Sequence, residues 1–168
     1  MNDLPASRDA FVARFGGIFE HSPWIAEAAW DAGPIRAPLT AASLHQAMAG
    51  VLRAAPEATQ LKLINAHPDL AGKLAEAGRL TADSTKEQAS AGLAYLTDEE
   101  KARFTALNDA YKAKFGFPFI LAVAGRSRAE ILAAFEARME NDAETEFSTA
   151  LREIDKIARL RLEAMERP

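Results

Sequence analysis

The chain has no cysteine. That excludes disulfides, thiolate nucleophiles and cysteine-ligated metal, and it fits a reducing compartment. Valine, isoleucine and threonine are sparse, and no stretch alternates strictly between apolar and polar residues, so half-buried strands have little pattern to form from. No uncharged run approaches the ~20 residues of a membrane-spanning helix, and the opening MNDLPASRDA carries no apolar stretch of signal-peptide length. Basic charge is not in excess either: 20 Lys and Arg against 24 Asp and Glu leave a net charge of -4. Without a general electropositive surface to gather phosphates, nucleic acid is not an expected partner. The final Glu166-Arg167-Pro168 is not a Ser-Lys-Leu peroxisomal address. These absences together lead us to expect a cytoplasmic protein without membrane attachment.

What is present is helix-forming. The 168 residues are 49% hydrophobic, enough for one core, so residues 1–168 are expected to form a single domain. Alanine, leucine, glutamate and arginine dominate, and the fold class expected is all-α, with about seven or eight helices. Helix starts are written at Ser22-Pro23, at Thr40 before Ala41 to Ala54, at Thr97 to Glu100 and at Ser127 to Glu130. The last two are capping boxes, in which a hydroxyl and a glutamate three residues later satisfy amide donors that the helix leaves free. Stops fall at Pro34 and Pro38 in a linker, at Pro56, at Gly78 and at Gly116. No internal repeat or low-complexity tract divides the chain. The run Phe117 to Ala124 (FPFILAVA) fits either a buried strand-like segment or a short buried helix, because periodicity does not separate the two in so short a stretch.

Three residues are not fully absorbed by packing. His67 lies in Asn65-Ala66-His67-Pro68-Asp69-Leu70, where a helix meets a proline that pushes the preceding residue out of the α region. An imidazole at such a helix end can exchange a proton near neutral pH, whereas the alternative is a structural histidine bonded to local backbone. Neither His21 nor His45 shares a metal-like spacing with it, so no metal is expected. Glu87 closes Ser84-Thr85-Lys86-Glu87, and Ser-x-x-Glu is itself the pattern of a capping box. Projected as a helix, the segment sets Ser84, Glu87, Ala91 and Tyr95 on one face with Gln88 at its margin. That face suits the floor of a polar pocket or a solvated helix start. Arg161 falls inside the apolar stripe of the last helix, formed by Phe147, Ala150, Leu151, Ile154, Ile157, Ala158, Leu162 and Met165, with Arg152, Lys156 and Arg159 on the far side. An inward guanidinium keeps its charge and needs a carboxylate, carbonyls or an anionic ligand; the alternative is a stem that covers the core while the head escapes to water.

These residues belong to an ordered set. His67-Pro68-Asp69-Leu70, Ser84-x-x-Glu87-Gln88-x-x-x-Gly92-Leu93, and Tyr111-x-x-Lys114-Phe115-Gly116-Phe117-Pro118-Phe119-Ile120 resemble the 2-oxo-4-hydroxy-4-carboxy-5-ureidoimidazoline (OHCU) decarboxylase family, over nearly the whole chain. The resemblance implies an all-helical enzyme, usually a homodimer, that forms (S)-allantoin in urate degradation without metal or organic cofactor. It implies His67, Glu87 and Arg161 as the catalytic residues. It also implies substrate contacts at Pro68, at Ser84, Thr85, Lys86, Glu87 and Gln88, and at Phe119, Ile120, Leu121, Ala122 and Val123. A hydrolase of a related ureide and a non-catalytic helical interaction module are the competing readings.

Overall fold

The computed structural model describes residues 3–33, 35 and 37–166, and for Leu74 the backbone alone. The expectations placed on Met1, Asn2, Pro34, Arg167 and Pro168 lie outside these residues. In chain order the helices are α1 (Arg8–Phe15), α2 (Trp24–Asp31), α3 (Ala41–Ala54), α4 (Glu57–Ala66), α5 (Lys73–Glu76), α6 (Ala82–Ser90), α7 (Asp98–Phe115), α8 (Arg128–Arg138) and α9 (Ala143–Glu166), with a 3-10 turn at Leu93–Tyr95. Among the described residues there is no strand, so the all-α expectation holds. The helix count also holds once the single-turn α5 is set aside. No helix among these residues is long and apolar enough to cross a membrane. Backbone contacts divide the chain into two compact units, one of Met1–Ala66 with Asp155–Pro168 and one of His67–Ile154.

In the first unit α1 packs on α2 and α2 on α3, around Phe11, Phe15, Ile25, Leu44 and Met48, each almost fully buried. Phe11 meets the rings of Phe15 and Trp30 at 4.9 and 5.2 Å between centroids. Thr40 caps α3 by accepting from the Ser43 amide, and the Ser43 hydroxyl returns a bond to the Thr40 backbone. Ala55 is extended, as a residue before proline must be, and this ends α3 while Pro56 begins the next helix by accepting from the amides of Thr59 and Gln60. The start at Ser22-Pro23 is real, but Ser22 is not its cap. The Ser22 hydroxyl donates to Glu20 O at 2.9 Å, and Pro23, at φ -62°, leads into α2 without a side-chain bond. Proline already has the φ of a helix start and no N–H that needs a partner.

In the second unit both expected capping boxes are present, Thr97 with Glu100 on α7 and Ser127 with Glu130 on α8. Gly116 ends α7 at φ 79°, a left-handed conformation that glycine adopts without steric cost. The core gathers Phe104, Tyr111, Phe119, Ile131, Phe135, Ala150 and Ile154. A fully buried carboxylate, Glu146, sits among them, bonded by Arg138, Asn141 and the Tyr111 hydroxyl.

The segment after Gly116 is neither strand nor helix. Residues 118–123 are irregular backbone, and Phe119 to Val123 are at most 6% exposed. Pro118 removes a donor, and side chains replace the missing ladder. Arg138 donates to Ile120 O, Glu153 accepts from Ala122 N at 2.8 Å, and Arg126 Nε donates to Ala122 O at 3.2 Å. Phe119 stacks on Phe135 at 3.8 Å between centroids, and the Arg138 guanidinium lies 4.4 Å from the Phe119 ring centre.

Candidate active site

His67 follows directly on the end of α4 and is half-buried, as are Pro68 and Asp69. The residues after it are held from two helices. Lys112 of α7 donates to Asp69 Oδ2 at 2.6 Å, and Asn108, one turn earlier, donates to Leu70 O at 2.9 Å. Gln88 of α6 accepts from Ala71 N at 3.0 Å and donates to Asp69 O at 3.4 Å. The loop is therefore fixed in place, which is what a proton-transfer group needs if its aim is to be reproducible.

The structure corrects the reading of Ser84 and Glu87 as a capping box. The cap of α6 is Thr81, whose side chain accepts from Ser84 N, so Ser84 is the third residue inside the helix and Glu87 lies a turn further on. Ser84 and Gln88 are buried, Glu87 is half-buried, and Thr85 and Lys86 face outward. The projected face also stops short. The helix ends at Ser90, Gly92 turns the chain at φ 75°, and Tyr95 emerges 81% exposed instead of extending the face. A cleft of about 330 Å³ lies against α6, lined by Ala71, Thr85, Gln88, Ala89, Leu93 and Leu96 among others. Neither His67 nor Glu87 lines it, and its walls are largely apolar, so we do not place the chemistry there.

Within the same unit, the Phe119 to Val123 segment presents unspent backbone. Among the described residues the amides of Phe119, Ile120, Leu121 and Val123 donate to no protein acceptor, while Ala122 N is taken by Glu153. Buried amides in irregular backbone are donors available to a carbonyl-rich ligand. Beneath them the Glu146 carboxyl is shifted toward its charged form and the Tyr111 phenol toward its neutral one. Burial opposes the charge on Glu146, but hydrogen bonds from Arg138, Tyr111 and Asn141 outweigh it and hold the carboxyl below its usual range. Burial and the Glu146 bond push the Tyr111 phenol up.

Arg161 belongs to the other unit. It is buried on the inner face of α9, as its place in the stripe requires, with Ala158 and Leu162 beside it and Arg152, Lys156 and Arg159 exposed. Its head does not escape to water: Nη2 lies 3.1 Å from Glu20 Oε2, and Nη1 donates to Ile18 O at 3.2 Å. The carboxylate and the carbonyl that an inward guanidinium demands are both supplied, by the irregular stretch between α1 and α2. His67, Glu87 and the 119–123 segment share one unit and Arg161 lies in the other.

Three polar residues escaped the reading of the sequence. Asn108 sits on the buried stripe of α7 with Phe104, Leu107, Tyr111 and Phe115, a polar residue inside an apolar periodicity as Arg161 is. Glu146 is marked in the same way, one turn before Ala150 on α9. Glu20 lies outside any helix, where no periodicity exists to flag it.

Comparison with known proteins agrees with this architecture. The family model for OHCU decarboxylase matches residues 5–163. The chain is 42% identical over 163 residues to a 2-oxo-4-hydroxy-4-carboxy-5-ureidoimidazoline decarboxylase of Halalkalicoccus jeotgali, covering 97% of this chain and 89% of that one. It is 46% identical over 147 residues to a uric acid degradation bifunctional protein of Bacillus subtilis, covering 88% of this chain and 28% of that longer protein. A crystal structure of (S)-allantoin synthase superposes with a TM-score of 0.74 at 34% identity, over 94% of this chain and 50% of that one. An OHCU decarboxylase crystallised in the presence of (S)-allantoin gives 0.67 at 26% identity, over 84% and 89%. The class is thus that of all-helical ureidoimidazoline decarboxylases. The chain belongs to the OHCU decarboxylase family.

Proposed function

We propose that His67 is the acid/base of this enzyme, supported by Glu87 and Arg161, in a decarboxylation that uses no cofactor. The chain is a carboxy-lyase of urate degradation that converts OHCU to allantoin. The substrate carries its carboxylate on a ring carbon next to a C=N bond. When the carbon–carboxylate bond breaks, its electron pair forms a ring C=C bond and the C=N electrons move to nitrogen, which takes up a proton. The product of that step is an enol, and its tautomerisation gives the ring ketone and a new C–H bond. The electron sink is in the substrate, so the protein's task is to orient the ring, exclude water and move protons on one face.

In this scheme His67 removes the proton of the ring hydroxyl and returns one to carbon, which sets the (S) configuration. Glu87 orients the ureido group, and Arg161 binds a carbonyl or carboxylate oxygen through its planar fork. Pro68, Ser84 to Gln88 and Phe119 to Val123 are the substrate contacts. The observation that carries the residue assignments is the fixed loop: His67 is half-buried at a helix end, and each of the residues from Asp69 to Ala71 accepts or donates a bond to α6 or α7. The unspent amides of the 119–123 segment support the contact assignment. We further propose that residues 1–168 act as one catalytic domain, as a homodimer in the cytoplasm.

The test is a coupled assay in which OHCU is generated from urate by upstream enzymes. Stoichiometric carbon dioxide and optically active (S)-allantoin, formed faster than in the enzyme-free control, are the expected result. Ring opening without carbon dioxide would instead indicate a ureide hydrolase, and no acceleration at all a non-catalytic module.

A further inference from the structure

The contacts around the His67 loop assign work to two residues of α7 that the scheme above leaves unused. Asn108 is 3% exposed on an otherwise apolar stripe. Its Nδ2 donates to Leu70 O, while its Oδ1 has no partner among the described residues. An amide that leaves one buried atom unsatisfied is a poor choice for packing alone. Its place there is explained by the bond that it does make. Lys112, on the same face one turn later, pairs with Asp69 across a partly exposed gap. A partly exposed ion pair of this kind adds little to global stability. The loop that these two residues hold has Ala71 at φ 50°, a conformation that side chains rarely adopt and that persists only where neighbours enforce it. Gln88 completes the restraint through Ala71 N.

We propose that Asn108 and Lys112, together with Gln88, form a clamp that fixes the backbone from Asp69 to Ala71 and thereby sets the aim of the His67 imidazole. Asn108 and Lys112 are positioning residues and touch no reacting atom, whereas Gln88 is also one of the substrate contacts named above. The proposal rests on the reading of His67 as the acid/base. A clamp of this kind acts on the alignment of the proton carrier and leaves substrate affinity alone. Its loss therefore lowers kcat and spares KM, by about 10- to 100-fold for a misaligned group.

The experiment compares Asn108→Leu, Lys112→Met, Lys112→Arg and His67→Asn with the unmodified enzyme, each by kcat, KM, melting temperature and the imidazole resonances. The chain has three histidines, His21, His45 and His67, so each resonance is assignable by substitution. The clamp predicts that Asn108→Leu and Lys112→Met lower kcat with KM within about threefold. It also predicts that only the His67 resonance moves, and that Lys112→Arg restores both. Should Asn108→Leu fail to fold, Lys112→Met carries the test, since its side chain is 41% exposed. If both variants keep kcat and the His67 resonance while His67→Asn is inactive, the clamp is overturned and the catalytic reading stands. If His67→Asn keeps its turnover, the catalytic reading falls and takes the clamp with it.

Discussion

The starts of α7 and α8 and the middle of α6 carry the same four-residue pattern, a hydroxyl followed three positions later by glutamate, and they use it differently. Thr97 with Glu100 and Ser127 with Glu130 are reciprocal caps. Ser84 with Glu87 is not, because Thr81 takes the cap three residues earlier and draws Ser84 inside the helix. Spacing nominates a capping box, but only the hydroxyl at the boundary can fill it, and the first competent one along the chain wins. The consequence is functional. Glu100 and Glu130 are committed to helix ends, whereas Glu87 stands half-buried a turn inside α6, past the boundary that Thr81 caps.

The largest effect falls at Glu146, a carboxylate whose partners are the Arg138, Asn141 and Tyr111 side chains. Glu146→Ala leaves the half-buried Arg138 guanidinium without its carboxylate and should cost about 3 kcal/mol of unfolding free energy, measured by denaturant titration. The same group fixes an acid limb. Its folded pKa lies below the usual 4.5, so its contribution is complete above that value and is lost as pH falls through the lower, folded one. Stability of the unmodified protein should therefore drop below about pH 4.5, more steeply than that of Glu146→Gln.

Glu87→Gln is the next largest in effect. It keeps volume and hydrogen bonding and removes only charge, so kcat should fall by about 100-fold or more with the melting temperature unchanged. A lowered melting temperature with normal turnover would return Glu87 to a structural role. The smallest effect belongs to the true caps: Thr97→Ala should cost about 1 kcal/mol of stability, read as a fall of a few degrees in Tm, with activity per folded molecule intact.

Most of the fold was legible because its devices are local. Helix starts at Thr40, Thr97 and Ser127 and the stop at Gly116 are each decided within four or five residues. The stripe of α9 likewise placed Arg161 inside and Arg152, Lys156 and Arg159 outside. What failed was decided by competition or by distance. Ser22 lost its cap to Pro23, and the face drawn from Ser84 to Tyr95 was cut by Gly92. The segment after Pro118 needed partners on α8 and α9, namely Arg138 and Glu153, which no local pattern announces. In the site, the motif residues were visible, whereas the groups that hold them were not. Asn108 sits on the buried stripe of α7, whose periodicity was not followed in the sequence, and Glu20 lies in irregular chain.

The central claim is that His67 carries the proton, and one substitution addresses it directly. His67→Asn, supplied with OHCU generated from urate and followed by optical rotation, should form no (S)-allantoin above the spontaneous rate while its helical circular dichroism matches the parent. Near-normal production of optically active allantoin by that variant would contradict the account.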